Sequence, residues 1–363
     1  METQDSLKVL LESRTYSIFN FRSLTFQALK RSVCDLLEDP SSSFELKAPY
    51  LSGWVDIIDD STYFTFIINA VSPLIYVFYP GAPSILRVQS YNLAIFGKHK
   101  KWDERMHMIA QQIKEVNPDI IGVQEAKRDP LYGLYGVERV LTKFIENVAG
   151  SNYSAQGRDM MKDILELIPE YPYSYLHDSM HYSDGSTEGI GIISRFPISN
   201  IKHIQLSKSD SDGNSRSCLR ATISHPMKNL LVYNTHLTYD LKGQVKQASE
   251  ILRFIDSEDD KFTAQLLIGD MNSEEKYPQP MRLLEGISQE PLSRGKLDDA
   301  WKSANGEEDG FTYPSWEPSE RLDRIMFRNI EAPPVCEVTG YAETEDKWPS
   351  DHCTVFADFI LTQ

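Results

Sequence analysis

Leu266-Leu267-Ile268-Gly269-Asp270-Met271-Asn272 is the stretch on which the reading of this chain turns. Three large apolar residues ahead of a glycine predict a strand buried on both faces, of the kind that fills the middle of a layered sheet. Such a strand ends at Gly269. Asp270 and Asn272 then follow two residues apart and can point the same way, a carboxylate beside a carboxamide at the rim of a core. Asp and Asn are also favoured turn residues, so this heptapeptide divides evenly between a turn and a site.

Other strand ends tip the balance. Leu86 to Asn92 reads as a strand closing on an amide, and Asp119-Ile120-Ile121-Gly122-Val123-Gln124-Glu125 as a second buried strand closing on a carboxylate. Glu188 to Ser194 runs from a glutamate into the Pro197 turn, and Leu230 to Leu237 reaches His236 at its end. Between these strands, helices are predicted over Asp103–Val116, with Met106, Ile109, Ile113 and Val116 at helical spacing and Asn117-Pro118 as the stop, and over Gln244–Ile255. Pro130 to Tyr175 reads as helical stretches and loops, and Leu297-Asp298-Asp299-Ala300-Trp301 as the start of a short helix. Arg321-Leu322-Asp323-Arg324-Ile325 sets an aspartate between two arginines just before a strand, where a surface salt-bridge cluster is the plainer explanation. Asp351-His352 precedes the closing strand from Thr354. Alone, Glu125 reads as a surface charge and His236 as a satisfied core residue; recurrence at strand ends favours function for both.

Composition bounds the rest. The 363 residues carry a net charge of −16, so no global cationic field exists to hold long nucleic acid, and a tight nonspecific duplex binder is disfavoured. Cys34, Cys218, Cys336 and Cys353 form no CxxC or CxxH grouping, which points away from zinc and disulfide frameworks and towards a reducing, intracellular compartment, cytoplasmic or nuclear. The first residues lack the basic start and apolar run of a signal peptide. Tyr63 to Tyr79 is the most apolar segment, but Asn69, Ser72 and Pro73 break it, so it reads as two strands and a turn and no transmembrane segment is expected.

Residues 1–84 read as a separate small α+β domain. Lys8–Glu12 and Tyr16–Phe21 are strand-like; the helix after them places Phe26, Leu29, Val33 and Leu37 on one face, with Ser23 or Thr25 as cap and Asp39-Pro40 and three serines as its end. With further strands at Trp54–Ile58 and within Tyr63–Tyr79, the pattern is similar to a ubiquitin-like or PB1-like β-grasp module. It reads equally as an interaction module for a protein partner and as a packing extension of the larger domain C-terminal to it. Pro80-Gly81-Ala82-Pro83 marks the boundary, with −4 on one side and −12 on the other.

Taken in order, SYNL at 90–93, GVQE at 122–125, EGIGIISRFPI at 188–198, YNTHL at 233–237, IGDMN at 268–272, RLDRI at 321–325 and PSDH at 349–352 resemble the endonuclease/exonuclease/phosphatase superfamily, the DNase I-like fold. Each motif is common singly, whereas seven in order are specific. The resemblance covers 85–363 as the catalytic domain and implies a four-layered α/β sandwich, two mostly antiparallel sheets flanked by helices, with the site where strands end. Hydrolysis of a phosphoester calls for a hard divalent cation, an activated water and donors for the growing negative charge. Mg²⁺, with Mn²⁺ as a substitute, suits oxygen ligands. Glu125 is the principal candidate ligand, with Asn92 and Asp351 beside it. Asp270 suits the base that takes the proton from water, and Asn272 a group that orients that water or the phosphate.

By resemblance, His352 contacts the scissile phosphate and His236 acts as general acid or phosphate donor. The same pattern implies that Glu188 orients His236 and that Asp323 orients His352 or supports the charge network.

The reading is therefore a metal-dependent phosphodiesterase or nuclease. RLDRIMFR and WPSDH look somewhat like 5′-tyrosyl-DNA phosphodiesterases, although YNTHLTYD lacks their SHLES-type continuation. A sphingomyelinase-like lipid phosphodiesterase, a phosphoinositide phosphatase, or a non-enzymatic adaptor with an inert catalytic-like domain are the alternatives. The expected substrate is a nucleic-acid end, a short single strand or a single head group, gripped by local cations among Lys98, Lys100, Lys101, Arg321 and Arg324. Because no candidate site residue precedes Asn92, a chain starting near Ser84 is expected to fold and hydrolyse a small phosphodiester.

Overall fold

The structure is a computed structural model that describes residues 6–11, 14–19, 21–38, 44–50, 53–69, 74–78, 84–96, 102–132, 157–209, 211–257, 263–287, 296–345 and 347–362. The expected boundary at Pro80–Pro83, the serine run after Pro40 and the lysines at 98, 100 and 101 lie outside these residues.

The first five strands are β1 (Ser6–Leu11), β2 (Arg14–Phe19), β3 (Glu45–Tyr50), β4 (Gly53–Asp56) and β5 (Leu74–Phe78). They form one sheet in the order β2-β1-β5-β3-β4, two hairpins joined by a central strand that runs parallel to β1, which is a β-grasp arrangement. The helix Phe26–Leu37 is capped by Thr25, whose side chain accepts the Ala28 N–H at 3.2 Å, and it buries Phe26, Leu29 and Val33 against the sheet. One expectation fails here. Asp60–Asn69 is a helix, with Phe66 in the small core, so only the second half of Tyr63–Tyr79 is a strand. Thr62 and Asp59 bond reciprocally at its start, a local capping arrangement that overrides the strand propensity of Tyr, Phe and Ile.

The remaining strands are β6 (Ser84–Asn92), β7 (Ile120–Asp129), β8 (Arg158–Asp159), β9 (Tyr173–His181), β10 (Thr187–Ser194), β11 (Ile198–Gln205), β12 (Ser217–Ser224), β13 (Asn229–His236), β14 (Ala264–Asp270), β15 (Asp298–Asp299), β16 (Asp323–Arg328), β17 (Val335–Thr339) and β18 (Thr354–Leu361). One sheet runs β17-β18-β6-β7-β10-β9 with β8 on β7, the other β11-β12-β13-β14-β16-β15. Each is antiparallel except for one central parallel pair, β6 with β7 and β13 with β14.

Side-chain alternation explains the layers. On β14, Leu266 and Ile268 face the other sheet while Leu267 faces the helices Leu241–Asp256 and Gln279–Leu284. On the first sheet, Ile121 and Val123 face the helices Trp102–Val116 and Met160–Leu167. The result is helix, sheet, sheet, helix: a four-layered α/β sandwich. Gly122 lets the sheets close near one end, since a Cβ there would meet Ile268 Cγ2 at 2.8 Å. Asn234 then clasps the two sheets, donating to the Val123 carbonyl at 2.8 Å and the Gly191 carbonyl at 2.7 Å while accepting from Gln124 at 2.8 Å.

The β-grasp sheet is joined to this body through apolar contacts. Leu74, Tyr76 and Phe78 belong to the same buried cluster as Phe196, Ile223 and Leu230, and Trp54 packs against it while donating to the Ser224 carbonyl at 2.6 Å. A chain started at Ser84 would expose this face of the sandwich core, so the expectation that residues 1–84 can be removed without consequence runs against the packing.

Candidate active site

Inner-face positions at one end of the sandwich carry the chemistry. On β6, β10, β13, β14 and β16, alternation from the inter-sheet core residues places Asn92, Glu188, His236, Asp270 and Asp323 on the inner face. Glu125 reaches it by a different route. Val123 faces the outer helices, so Glu125, two residues on, would face them too in a regular strand. A bulge at Gln124–Glu125 intervenes: Gly191 pairs with Val123 but Gly189 with Ala126, and Glu125 adopts a left-handed φ of 56°. Ala126 returns to the outer core, and Glu125 and Lys127 turn inward.

Asp270 is the centre of the arrangement. Its Oδ1 accepts the Asn272 N–H at 2.8 Å, and its Oδ2 accepts Asn92 Nδ2 at 2.9 Å. Both histidines present Nε2 to the same oxygen, His236 at 3.4 Å and His352 at 3.7 Å. His352 is fixed from behind by Asp323, whose Oδ2 lies 2.8 Å from Nδ1, while Tyr313 packs its ring against the imidazole at 4.9 Å. The second oxygen of Asp323 is buried and has no hydrogen-bond partner among the described residues. The helper motifs hold this assembly by backbone bonds: Ser350 Oγ donates to the Asn92 carbonyl at 2.6 Å, and Thr312 Oγ1 accepts the Asp323 N–H at 3.2 Å.

Burial and charge set the protonation states. Burial pushes the Asp270 carboxyl up to about 6, although the neighbouring His352 pulls the other way. For His352 burial favours the neutral ring, but the Asp323 and Asp270 charges outweigh it and raise the imidazole well above its ordinary value. His236 goes the opposite way, lowered by burial and by the charges of Arg216 and His352. The site therefore pairs an imidazolium at His352 with a neutral imidazole at His236.

Asn92 departs from its expected role. Its Oδ1 accepts the Ala94 N–H at 3.0 Å, which fixes the amide orientation, so its Nδ2 and not its oxygen faces Asp270 and, at 3.3 Å, Glu125 Oε1. It bridges two carboxylates instead of offering a ligand oxygen. Glu188 departs as well. Its Oε2 accepts the Tyr182 hydroxyl at 2.5 Å, and among the described residues no hydrogen bond joins it to His236, although both line one small cavity with Arg216. Asn272 uses Nδ2 to hold the Leu237 carbonyl at 2.9 Å, tying the ends of β13 and β14 together. Arg321 and Arg324 are not substrate cations: both are buried, each bonds Asp299 at 3.1 Å, and they contact Glu275 at 2.7 and 2.9 Å. RLDRI does contribute a salt-bridge cluster through its arginines, but a buried one and not the surface cluster expected, while Asp323 faces the site.

Two groups of donors suit a cation. Asp270, Asp323 and His352 bring ligand atoms within 4.8 Å of one another, all buried. A hydrogen bond already joins two of them, and a cation there would displace the imidazolium proton. The other group is Glu125 with Asp351. Glu125 Oε2 accepts the Ile95 N–H at 3.0 Å. Asp351 is raised by burial and by the Glu125 charge, as is Glu188. Asp351 and Glu188, both raised beside the Glu125 charge, mark a pocket that a hard divalent ion would stabilise, and the donor set fits one.

Gln124, Asn234, Tyr182, Lys127, Ser350 and Arg105 are further residues around the site that the sequence pattern did not single out. Arg105 is buried and donates to the carbonyls of Pro349 at 2.7 Å and Ala94 at 2.8 Å, linking the turn after Asn92 to the loop of Asp351. Only its place on the inner face of the predicted helix Asp103–Val116 could have hinted at this.

A two-sheet sandwich with clustered carboxylates and histidines at one end defines the class of phosphoester hydrolases. The family model for the Endonuclease/Exonuclease/phosphatase family matches residues 90–352, and the chain belongs to that family. Its members hydrolyse phosphoester bonds and use divalent metals. No curated protein sequence matches the chain.

Among solved structures, an endonuclease/exonuclease/phosphatase family protein from Leptotrichia buccalis is 16% identical with a TM-score of 0.55, covering 76% of this chain and 99% of its own. One from Bacteroides vulgatus is 16% identical with a TM-score of 0.56, over 77% and 100%. A humanized TDP2 of D. rerio is 15% identical with a TM-score of 0.50, over 76% and 98%. These likenesses show the fold.

Proposed function

We propose that the chain is a divalent-metal-dependent phosphodiesterase that hydrolyses a phosphodiester at a nucleic-acid end or in a short single strand, with Asp270 as the general base. The observation that carries this reading is the setting of Asp270, a buried carboxylate bonded by Asn92 and Asn272 and faced by both histidines. Glu125 and Asp351 would hold Mg²⁺, or Mn²⁺ in its place, and the ion would neutralise phosphate oxygens and acidify the attacking water. Asp270, raised towards neutrality by burial, takes the water proton. His352, charged and braced by Asp323, donates to a phosphate oxygen as negative charge grows there. His236 offers an N–H from a neutral ring, and Asn92 keeps the base aligned with the carboxylate at Glu125.

The absence of free arginines at RLDRI supports a small substrate footprint over a long duplex grip. All four cysteines are free, which supports an intracellular setting. No described helix is long and apolar enough to cross a membrane.

The test is hydrolysis by the full chain, with Mg²⁺ or Mn²⁺, of single-stranded DNA, duplex DNA, RNA, a 5′-phosphotyrosyl oligonucleotide, sphingomyelin and phosphoinositides. The expected result is metal-dependent cleavage of a nucleic-acid phosphodiester. Activity that persists in excess chelator, or that is confined to the lipids, overturns the reading.

A further inference from the structure

Lys127 is a half-buried cation that the proposed chemistry leaves unused. The bulge that turns Glu125 inward turns Lys127 inward as well, and in the strand register it stands opposite Glu188. Its Nζ lies over two aromatic rings, 5.0 Å from the centroid of Tyr182 and 5.7 Å from that of Phe96. Tyr182 is itself held by its hydroxyl on Glu188. Among the described residues no carboxylate forms an ion pair with Lys127, although its charge is felt by Glu188. A lysine serving only to balance carboxylates would close on one of them. Ring faces instead hold the ammonium without neutralising its charge, and leave N–H donor capacity for the oxygens of an anion.

Position decides which anion. Lys127 is two residues past Glu125, a displacement of about 7 Å along the strand. A phosphate seated between Glu125 and Asp270 leaves Lys127 to a neighbouring anionic group. We infer that Lys127, Tyr182 and Phe96 form a second anion subsite that binds a phosphate of the substrate next to the scissile one. The inference rests on the phosphoesterase reading and deepens it, since it selects substrates with consecutive phosphates over isolated diesters.

Binding without turnover keeps the two readings apart. The full chain would be titrated calorimetrically, in Ca²⁺, with thymidine 3′,5′-bisphosphate and with thymidine 5′-monophosphate. The wild type is expected to prefer the bisphosphate by about tenfold, the worth of one charge-assisted hydrogen bond. Lys127→Met should abolish that preference, Lys127→Arg should keep most of it, and Tyr182→Leu, which removes one face of the clamp without touching the charge, should reduce it. No preference in the wild type overturns the subsite, as does an equal loss for both nucleotides in Lys127→Met. A preference for the bisphosphate in a protein that hydrolyses nothing would sustain the subsite and sink the phosphoesterase reading.

Discussion

The two sheets meet at the site with different contributions. The seven-stranded sheet brings Glu125 and Glu188, two partly exposed carboxylates, and with Asp351 nearby the Glu125 charge raises both Glu188 and Asp351. The six-stranded sheet brings His236, Asp270 and Asp323, all buried, and with His352 they are already in mutual contact. Under the proposed function, one sheet would provide the place for a cation and the other the path for protons. Asn92 joins them, with one amide group on Glu125 and Asp270. The difference teaches that the two halves should fail differently when broken.

The largest loss is expected on the cation side. Glu125→Gln keeps the shape but removes the charge, and kcat should fall by roughly a thousandfold or more while the thermal midpoint stays within a few degrees. Near wild-type turnover in this variant would remove the distinction between the sheets. Asp270→Asn comes next, with a fall in kcat of about a hundredfold or more; combined with His352→Ala it should cost much less than the product of the two, because the residues act as one unit. Multiplicative losses in steady-state kinetics would show independent roles.

A sharper comparison sets the two carboxylates behind the histidines against each other. Asp323 bonds His352 directly, so Asp323→Asn should cost about 10- to 100-fold in kcat/KM. Glu188 bonds Tyr182 instead, so Glu188→Gln should cost less than about tenfold. The reverse order would mean that Glu188 swings onto His236 when substrate binds.

The pH profile separates the sheets again. A base works only above its own pKa, and Asp270 lies near 6, so kcat/KM should fall as pH drops through about 6. The acid limb should disappear in the residual activity of Asp270→Asn but persist in Glu188→Gln, which pH–rate profiles of the two variants would show.

The smallest effect on turnover is expected far from the site, where the β-grasp sheet seals the other end of the sandwich. His225 is buried there edge-on to Tyr76 and Phe196, accepting the Met227 N–H at 3.2 Å, and burial drops its pKa to about 3. Unfolded, it takes its proton near 6.5, so between those values the unfolded state holds the extra proton and stability is lost as pH falls. From pH 7 to pH 5 this contributes a loss of about 2 kcal/mol. Denaturant midpoints of His225→Phe should be flatter over that range; an unchanged slope would mean that the joint opens enough to hydrate the ring.

The resemblance of seven ordered motifs was enough for the family and the sandwich, because buried strands leave continuous apolar runs and their ends leave the polar residues of the site. Edge strands were harder to read. Ile198–Gln205 is largely exposed on its outer side and carries no apolar run, so β11 left no such signal.

What the sequence determined by itself was the inventory: an amide, a carboxylate or a histidine at the end of each central strand, and strands of period two to carry them. What tertiary structure alone decided was where several of those groups point. Alternation assigns Glu125 to the outer face with Val123, and only the pairing of β7 with β10, across a bulge, brings it to the site. Arg321 and Arg324 look like substrate cations until Asp299 and Glu275, distant in sequence, neutralise them. Asn92 reads as a ligand, and folding turns its Nδ2 to two carboxylates and its oxygen to the Ala94 N–H. Periodicity is a property of neighbours along the chain, whereas register shifts, ion pairs and amide orientation are settled by partners that only folding brings near.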